Sequence, residues 1–242
     1  DLIRFGRADA ALAVGYDSIQ RMSWAGLSCL RVMALSKEDA PPQVRPFDVD
    51  RGGTLFSEGA GCLLLQSGQS AEDTGATLLA EVSGVGVNNN AYHLTHADKE
   101  GMGTAVAMEM ALEDAGMAPS EIDHFNAHGT GTQLNDVIET RAAHVVFGPR
   151  ASRIPTTSNK GGLGHGMGAA SSWEAIASVQ SLVHGCIPPT QNLENQDPEC
   201  DLDVVFGEPR EVSLQHVMSN SAGIGGSNAA VIFSKASGRG RA

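Results

Sequence analysis

Two glycine-rich turns, each carrying a histidine beyond a strand-like run, constrain this chain more than any other feature. One reads Asn126-Ala127-His128-Gly129-Thr130-Gly131-Thr132. The other runs from Ser158-Asn159-Lys160 through Gly164-His165-Gly166 to Ala169-Ala170. Strand character over residues 122–127 and 154–157 precedes the two turns, and helical character follows each. Strand-to-helix turns are where α/β proteins place reactive groups. Glycine in such a turn lets other atoms approach the backbone closely. Strands alternate with helices along the rest of the chain, which predicts an α/β layered domain.

The remaining segments fit that alternation. Residues 8–15 form a short apolar run of buried-strand type. Residues 36–46 read as a loop, with Lys37, Glu38 and Asp39 followed by Pro41 and Pro42. Residues 54–66 are strand-like around the glycines of Ser57-Glu58-Gly59-Ala60-Gly61, and residues 78–87 form another strand before Asn88-Asn89-Asn90. An amphipathic helix is expected over 103–115, with Ala105, Met108, Leu112 and Ala115 on one face. Gly116 and Pro119 stop it. Asn135 is placed to cap the next helix, which Gly148-Pro149 closes. A helix from about 166 to 184 ends at Gly185 and Pro188, and residues 215–221 and 229–234 are the last strands. The tail, 237–242, is expected to fray.

Composition narrows the function classes. The 242 residues are 41% hydrophobic and 18% charged, as a globular chain requires. The formal net charge of −12 comes with no basic stripe, which argues against nucleic acid as a partner. Arg4, Arg7, Arg21 and Arg31 are either a local basic patch for an acidic protein partner or solvated surface arginines. No apolar run is long enough to cross a bilayer, and no signal peptide is evident. Cys29, Cys62, Cys186 and Cys200 lack metal-type spacing, and Cys62, in an apolar run, reads as a buried structural thiol. The cysteine usage fits a reducing cytoplasm. The opening Asp1-Leu2-Ile3-Arg4-Phe5-Gly6 looks like the last turns of a helix ending at glycine, so residues upstream are expected.

Taken alone, His128 and His165 are open to two readings. They are either satisfied structural histidines or a pair of neutral imidazoles aimed at one oxygen, where they would stabilise an enolate or oxyanion. At the amino end of a helix the dipole disfavours imidazolium, so His165 is expected to be neutral. Lys160 is either a surface cation or a group that orients the site, and Glu139 either a solvated helix carboxylate or its partner. His93 and His96 could suggest a metal, but no partnering ligand cluster is evident and loop packing accounts for them.

These segments resemble the β-ketoacyl synthases of the thiolase-like superfamily. Pro46-Phe47-Asp48-Val49-Asp50-Arg51 is similar to the family's PFD-x-DR stretch, and Asn126 to Thr132 with Asn135, Asp136 and Glu139 to its NAHGTxT…ND…ET motif. Lys160 and His165 hold its K-to-GH spacing. Ile187-Pro188-Pro189-Thr190-Gln191-Asn192-Leu193 and the closing Ser219-Asn220-Ser221-Ala222-Gly223-Ile224-Gly225-Gly226 complete a match that runs the whole chain in order. The resemblance implies a layered α-β-α-β-α fold when complete, with residues 1–75 ending its N-terminal half and 76–242 forming its C-terminal half. It implies condensation of an acyl thioester with a malonyl group on acyl carrier protein, no cofactor and no metal, and a homo- or heterodimer. His128 and His165 would bind the enolate oxygen, Lys160 would polarise the site, and Glu139 would hold Lys160. Thr130, Thr132 and Asn220 would contact substrate, Thr130 and Thr132 along the phosphopantetheine passage. The Ile224 N–H would be an oxyanion donor, with Ala222 and Gly223 beside it.

The chain departs from the family at two places. The family's nucleophilic cysteine lies shortly before the segment that aligns with Asp1, in an N-terminal portion absent from these residues, and none of the cysteines present sits in a matching context. In the closing loop the family usually has phenylalanine at both apolar positions. Ala222 and Ile224 point either to a roomier acyl pocket, of polyketide or polyene type, or to drift in a tolerant loop. Competing readings are a chain-length-factor-like partner subunit, which commonly loses part of the catalytic set; a thiolase, which needs a cysteine that residues 219–228 lack; and a dinucleotide-binding module, for which Gly164, Gly166 and Ala169 give a weak fingerprint with no following acidic residue.

Overall fold

A computed structural model describes residues 1–36, 41–93 and 98–236. The expected charged loop at Lys37, Glu38 and Asp39, His96 and the tail 237–242 therefore lie outside the described residues. In chain order the elements are β1 (Ala10–Asp17), α1 (Arg21–Cys29), β2 (Gly59–Gln66), α2 (Gly68–Thr74), β3 (Ala80–Asn89), α3 (Met102–Ala115), β4 (His124–Asn126), α4 (Asn135–Phe147), β5 (Pro155–Thr157), α5 (Lys160–Leu163), α6 (Ala170–His184), β6 (Cys186–Ile187), β7 (Asp203–Val204), β8 (Arg210–Glu211), β9 (His216–Gly223) and β10 (Ser227–Lys235).

A mixed six-stranded sheet in the order β3-β10-β9-β4-β5-β7 organises the molecule. β3, β10 and β9 pair antiparallel, while β9, β4, β5 and β7 run parallel. Side chains alternate across a strand, and β9 shows it: Met218 joins Met108, Phe125 and Ile232 in one apolar cluster, while neighbouring Val217 joins Val179, Leu182 and Phe233 in another. The first cluster lies under α3 and α4, the second under α6. On the far side of α6 lies the two-stranded antiparallel sheet β1–β2, so the layers run α3/α4, sheet, α6, β1–β2.

Glycine sets two of these approaches. A Cβ at Gly86 would stand 2.0 Å from the Ala107 carbonyl oxygen, so α3 lies against the backbone of β3. A Cβ at Gly61 would stand 2.4 Å from Ser172 Oγ, which brings β2 onto α6.

The parallel strands β4 and β5 end side by side, with Asn126 opposite Thr157. Both histidine turns therefore leave the same end of the sheet, which is what brings them together.

Several expectations need correcting. The 8–15 run is a strand displaced to Ala10–Asp17, and it is not buried: α6 covers its Gly15 side, leaving Leu12, Val14 and Tyr16 exposed on the other. Cys62 shares that uncovered face, paired with Val14, and is an exposed thiol. The helix expected from 166 begins at Ala170, after a short 3₁₀ turn over Met167–Ala169. Asn135 is the first helical residue and not the cap; its N–H is taken by Thr132 Oγ1 at 3.3 Å. Helices α1 and α2 were not foreseen.

Candidate active site

The His128 turn is held from below by carboxylates on the first turns of α4. Asp136 Oδ1 accepts from the N–H groups of Thr130 (3.1 Å) and Gly131 (3.2 Å), and its Oδ2 from Phe47 N–H (2.8 Å). Glu139, one turn on, accepts from His128 N–H at 2.7 Å and Gly129 N–H at 2.8 Å. The backbone donors of this buried turn thus find partners, as buried N–H groups must. Burial pushes the Glu139 carboxyl up to about 7, against the pull of those donors.

Lys160 opens α5 and is buried. An ammonium has three N–H donors, and all are used: one pairs with the carboxylate of Glu174, one goes to the His128 carbonyl oxygen at 2.6 Å, and one to His128 Nδ1 at 3.2 Å. Ser221 Oγ donates to the second oxygen of Glu174 at 3.1 Å. A chain of contacts therefore runs from the closing strand β9 through Glu174 and Lys160 to the His128 ring.

His165 is pinned by backbone pairing with residues 55–57. Its N–H donates to the Leu55 carbonyl at 2.7 Å, and its carbonyl accepts from Ser57 N–H at 3.0 Å. Its Nδ1 accepts from Met167 N–H at 3.1 Å. The two imidazoles meet edge to face, centroids 5.4 Å apart and planes at 85°.

These contacts fix both tautomers. An ammonium and a backbone N–H can only donate, so Nδ1 of each ring must accept, and the ring proton sits on Nε2. Both rings are also neutral. His165 is pulled down to about 3 and His128 well below its ordinary value, in each case first by burial and then by the Lys160 charge. Neutrality at His165 was expected from a helix dipole; the cause is burial, since the long helix starts five residues later. The result is a pair of neutral Nε2–H donors, able to hold an oxygen that gains negative charge without readily surrendering a proton to carbon.

The structure brings together His128, His165 and Lys160. It corrects the partner of Lys160, which is Glu174 and not Glu139. Glu139 spends its oxygens on the His128–Gly129 backbone and on Asn220 Nδ2 at 2.7 Å. Asn220, for which the resemblance implied a substrate contact, is buried and turned to Glu139. Thr130 and Thr132 share a hydroxyl contact at 2.9 Å beside the His128 turn. Ala222 and Gly223 end β9, and Ile224 lies exposed in the hairpin turn that follows. His93 is exposed, and no group of metal-binding side chains occurs among the described residues. No helix among them is long and apolar enough to cross a membrane.

Sequence reasoning missed Glu174. The signal was a lone carboxylate in the small-residue stretch Ala170-Ser171-Ser172-Trp173-Glu174-Ala175, on the face of α6 that must be buried.

With this geometry in view, comparison with known proteins settles the class. Residues 1–71 match the model of the β-ketoacyl synthase N-terminal domain and residues 79–194 that of the C-terminal domain. The chain belongs to the β-ketoacyl synthase family. It is 39% identical to the 3-oxoacyl-[acyl-carrier-protein] synthase 2 of Synechocystis over 97% of its own length and 56% of that protein. It superposes on the ishigamide ketosynthase/chain length factor with a TM-score of 0.89 at 41% identity, covering 97% of this chain and 56% of that one. A type II PKS ketosynthase in complex with its acyl-carrier protein gives a TM-score of 0.93 at 32% identity, covering 97% and 58%. The chain thus spans about half the length of the curated relatives it matches.

Proposed function

We propose that the protein acts in decarboxylative Claisen condensation, as a β-ketoacyl-[acyl carrier protein] synthase of fatty-acid or polyketide type. The observation that carries this reading is the pair of neutral Nε2–H donors at His128 and His165, their Nδ1 atoms occupied by Lys160 and by Met167 N–H.

The chemistry follows from those donors. In a malonyl thioester the bond to the carboxylate breaks, CO2 leaves, and the electron pair moves into an enolate whose oxygen the two imidazoles hold. The enolate carbon then attacks the carbonyl of an acyl thioester, and a thiolate departs. An ammonium fixed beside His128 keeps that ring neutral and its proton on Nε2.

The acyl group needs a thiolate to carry it. By the family resemblance none of the four cysteines here sits in the nucleophile's context, and Cys200 is moreover buried with its thiol pushed up to about 12, while Cys62 lies on the outer face of β2. The nucleophile is therefore assigned to sequence outside these 242 residues. Acyl carrier protein, bearing the malonyl and acyl groups on phosphopantetheine, is the proposed partner, in a homo- or heterodimeric synthase. The Ile224 N–H is the proposed oxyanion donor, and Thr130 and Thr132 line the proposed pantetheine passage. Retention of His128, Lys160, His165 and Glu139 speaks for a catalytic subunit and against a chain-length-factor-like one, and the residue at the nucleophile position decides between them.

The isolated chain is expected to show no condensation. Supplying the cysteine-bearing segment, fused or in trans, is expected to restore it, measured as β-ketoacyl product on the carrier. Robust turnover by the isolated chain, or none after the segment is supplied to a folded complex, contradicts the proposal.

A further inference from the structure

His165 depends on a turn that its own segment does not fully hold. The Met167 N–H that occupies Nδ1 belongs to a residue with φ of 50°, a left-handed conformation unusual for a side chain of this kind. Gly166, just before it, has φ of −73° and ψ of 10°. A negative φ followed by a positive one turns successive N–H groups to the same side, where they need acceptors. Met167 N–H finds the imidazole. The next, Gly168 N–H, finds Asp17 Oδ2 at 3.0 Å.

Asp17 is the last residue of β1, distant in sequence. Its other oxygen accepts from Ser18 N–H at 2.8 Å, so both oxygens are set by backbone donors. The approach is close: a Cβ at Gly168 would stand 2.6 Å from the Tyr16 carbonyl oxygen. Strain at a left-handed non-glycine residue persists only where surroundings over-determine it. On one side that constraint is the pairing of His165 with Leu55 and Ser57, and on the other it is Asp17.

We infer that Asp17 is a positioning residue that straps the 166–168 turn to β1 and thereby holds His165 in its Nε2–H tautomer. Its importance for catalysis rests on the proposed condensing function, but the tautomer itself does not. Without the Asp17 acceptor the Gly166–Gly168 peptides can rotate, Met167 N–H leaves Nδ1, and the ring proton is free to move there. A ring protonated on Nδ1 presents a lone pair to the oxyanion in place of a proton.

The test is a nitrogen-15 imidazole correlation spectrum of the histidine-labelled chain, with His165 identified by its loss in His165→Gln. The native ring is expected to show the Nε2–H tautomer. Asp17→Ala is expected to lower the ratio of the two tautomers about five- to tenfold, the worth of one hydrogen bond. Asp17→Asn keeps one acceptor oxygen, which serves Gly168 N–H only at the expense of Ser18 N–H, and is expected to lose less of the ratio than Asp17→Ala. An unchanged His165 signal in Asp17→Ala, or an equal loss in both variants, overturns the inference. Should Asp17→Ala fail to fold, Asp17→Glu, which keeps the charge but displaces the acceptor, gives the same contrast with Asp17→Asn. The signal is scored whether or not condensation occurs, so failure of the catalytic reading and failure of this one are separable.

Discussion

Lys160 is the residue on which the site turns, because its ammonium has no water to fall back on. Its donors are divided among a carboxylate, a carbonyl and an imidazole. Removing one partner of a buried ion pair leaves a bare charge, which costs about 3–5 kcal/mol. Glu174→Ala is therefore expected to lower unfolding free energy by about that amount, and Glu174→Gln, which keeps an acceptor for Lys160 but not the charge, by nearly as much. Denaturant titration of both variants checks this; a Glu174→Gln variant close to native stability would show that charge pairing is not what Glu174 supplies. At this scale the sequence was legible where a residue type is rare and chemically loaded. The histidines and Lys160 stood out among glycines. Glu174 and Asp17 did not, because a carboxylate on a helix or at a strand end is ordinary until the tertiary structure shows what it faces. Glu139 was placed in the right neighbourhood with the wrong partner, since sequence spacing cannot tell whether a helix carboxylate reaches across to a lysine or back to its own preceding turn.

At the scale of elements, periodicity recovered the strands and helices that pack on the central sheet. β3, α3, β4, α4, β9 and β10 all fall where alternation and glycine stops put them, within a few residues. It failed at β1, where a short apolar run suggested a buried strand, yet among the described residues α6 and the 167–169 turn cover one face and leave Leu12, Val14 and Tyr16 exposed on the other. It also failed at α1, whose residues are all at least partly exposed and give no strong apolar stripe. Glycine placement is the more exacting constraint on layer spacing. Gly86→Ala would drive a methyl into the Ala107 carbonyl and force α3 off β3, with an expected loss of about 1–3 kcal/mol. Gly68→Ala, where a Cβ meets nothing within 4 Å, is expected to be neutral or slightly stabilising. Comparable thermal midpoints for the two variants would contradict this account of the α3–β3 contact.

Over the whole molecule, buried neutral histidines set the acid limit. His124 lies in the core with neither ring nitrogen partnered, and burial pulls it from 6.5 to about 3; His165 behaves alike, and His128 lies well below its ordinary value. For each, the unfolded chain takes up a proton near pH 6.5 that the fold refuses. Their contribution is therefore complete above pH 6.5 and is lost as pH falls towards 3. Glu139, raised from 4.5 to about 7, works the other way: its contribution is present below 4.5 and lost as pH rises through 7. Asp136 and Glu174 are also raised by burial, so carboxylates offset the histidines at mildly acid pH, and the net fall steepens below the ordinary carboxylate range. His124→Leu removes one of these protons and an unpartnered imidazole. It is expected to shift the acid-unfolding midpoint to lower pH, with a gain on the order of a few kcal/mol at pH 4 relative to its effect at pH 8. A gain that does not change with pH would show that His124 is not held neutral in the fold.

The central claim is that His128 and His165 bind the oxygen of a developing enolate as neutral donors. It is tested most directly by separating half-reactions in the protein supplied with its nucleophile: release of CO2 from malonyl carrier, and transfer of an acyl group to cysteine. His128→Ala and His165→Ala are each expected to slow CO2 release about 100- to 1,000-fold, the worth of one oxyanion donor, while acyl transfer falls much less. Equal loss of both half-reactions, or CO2 release unchanged in either variant, contradicts it.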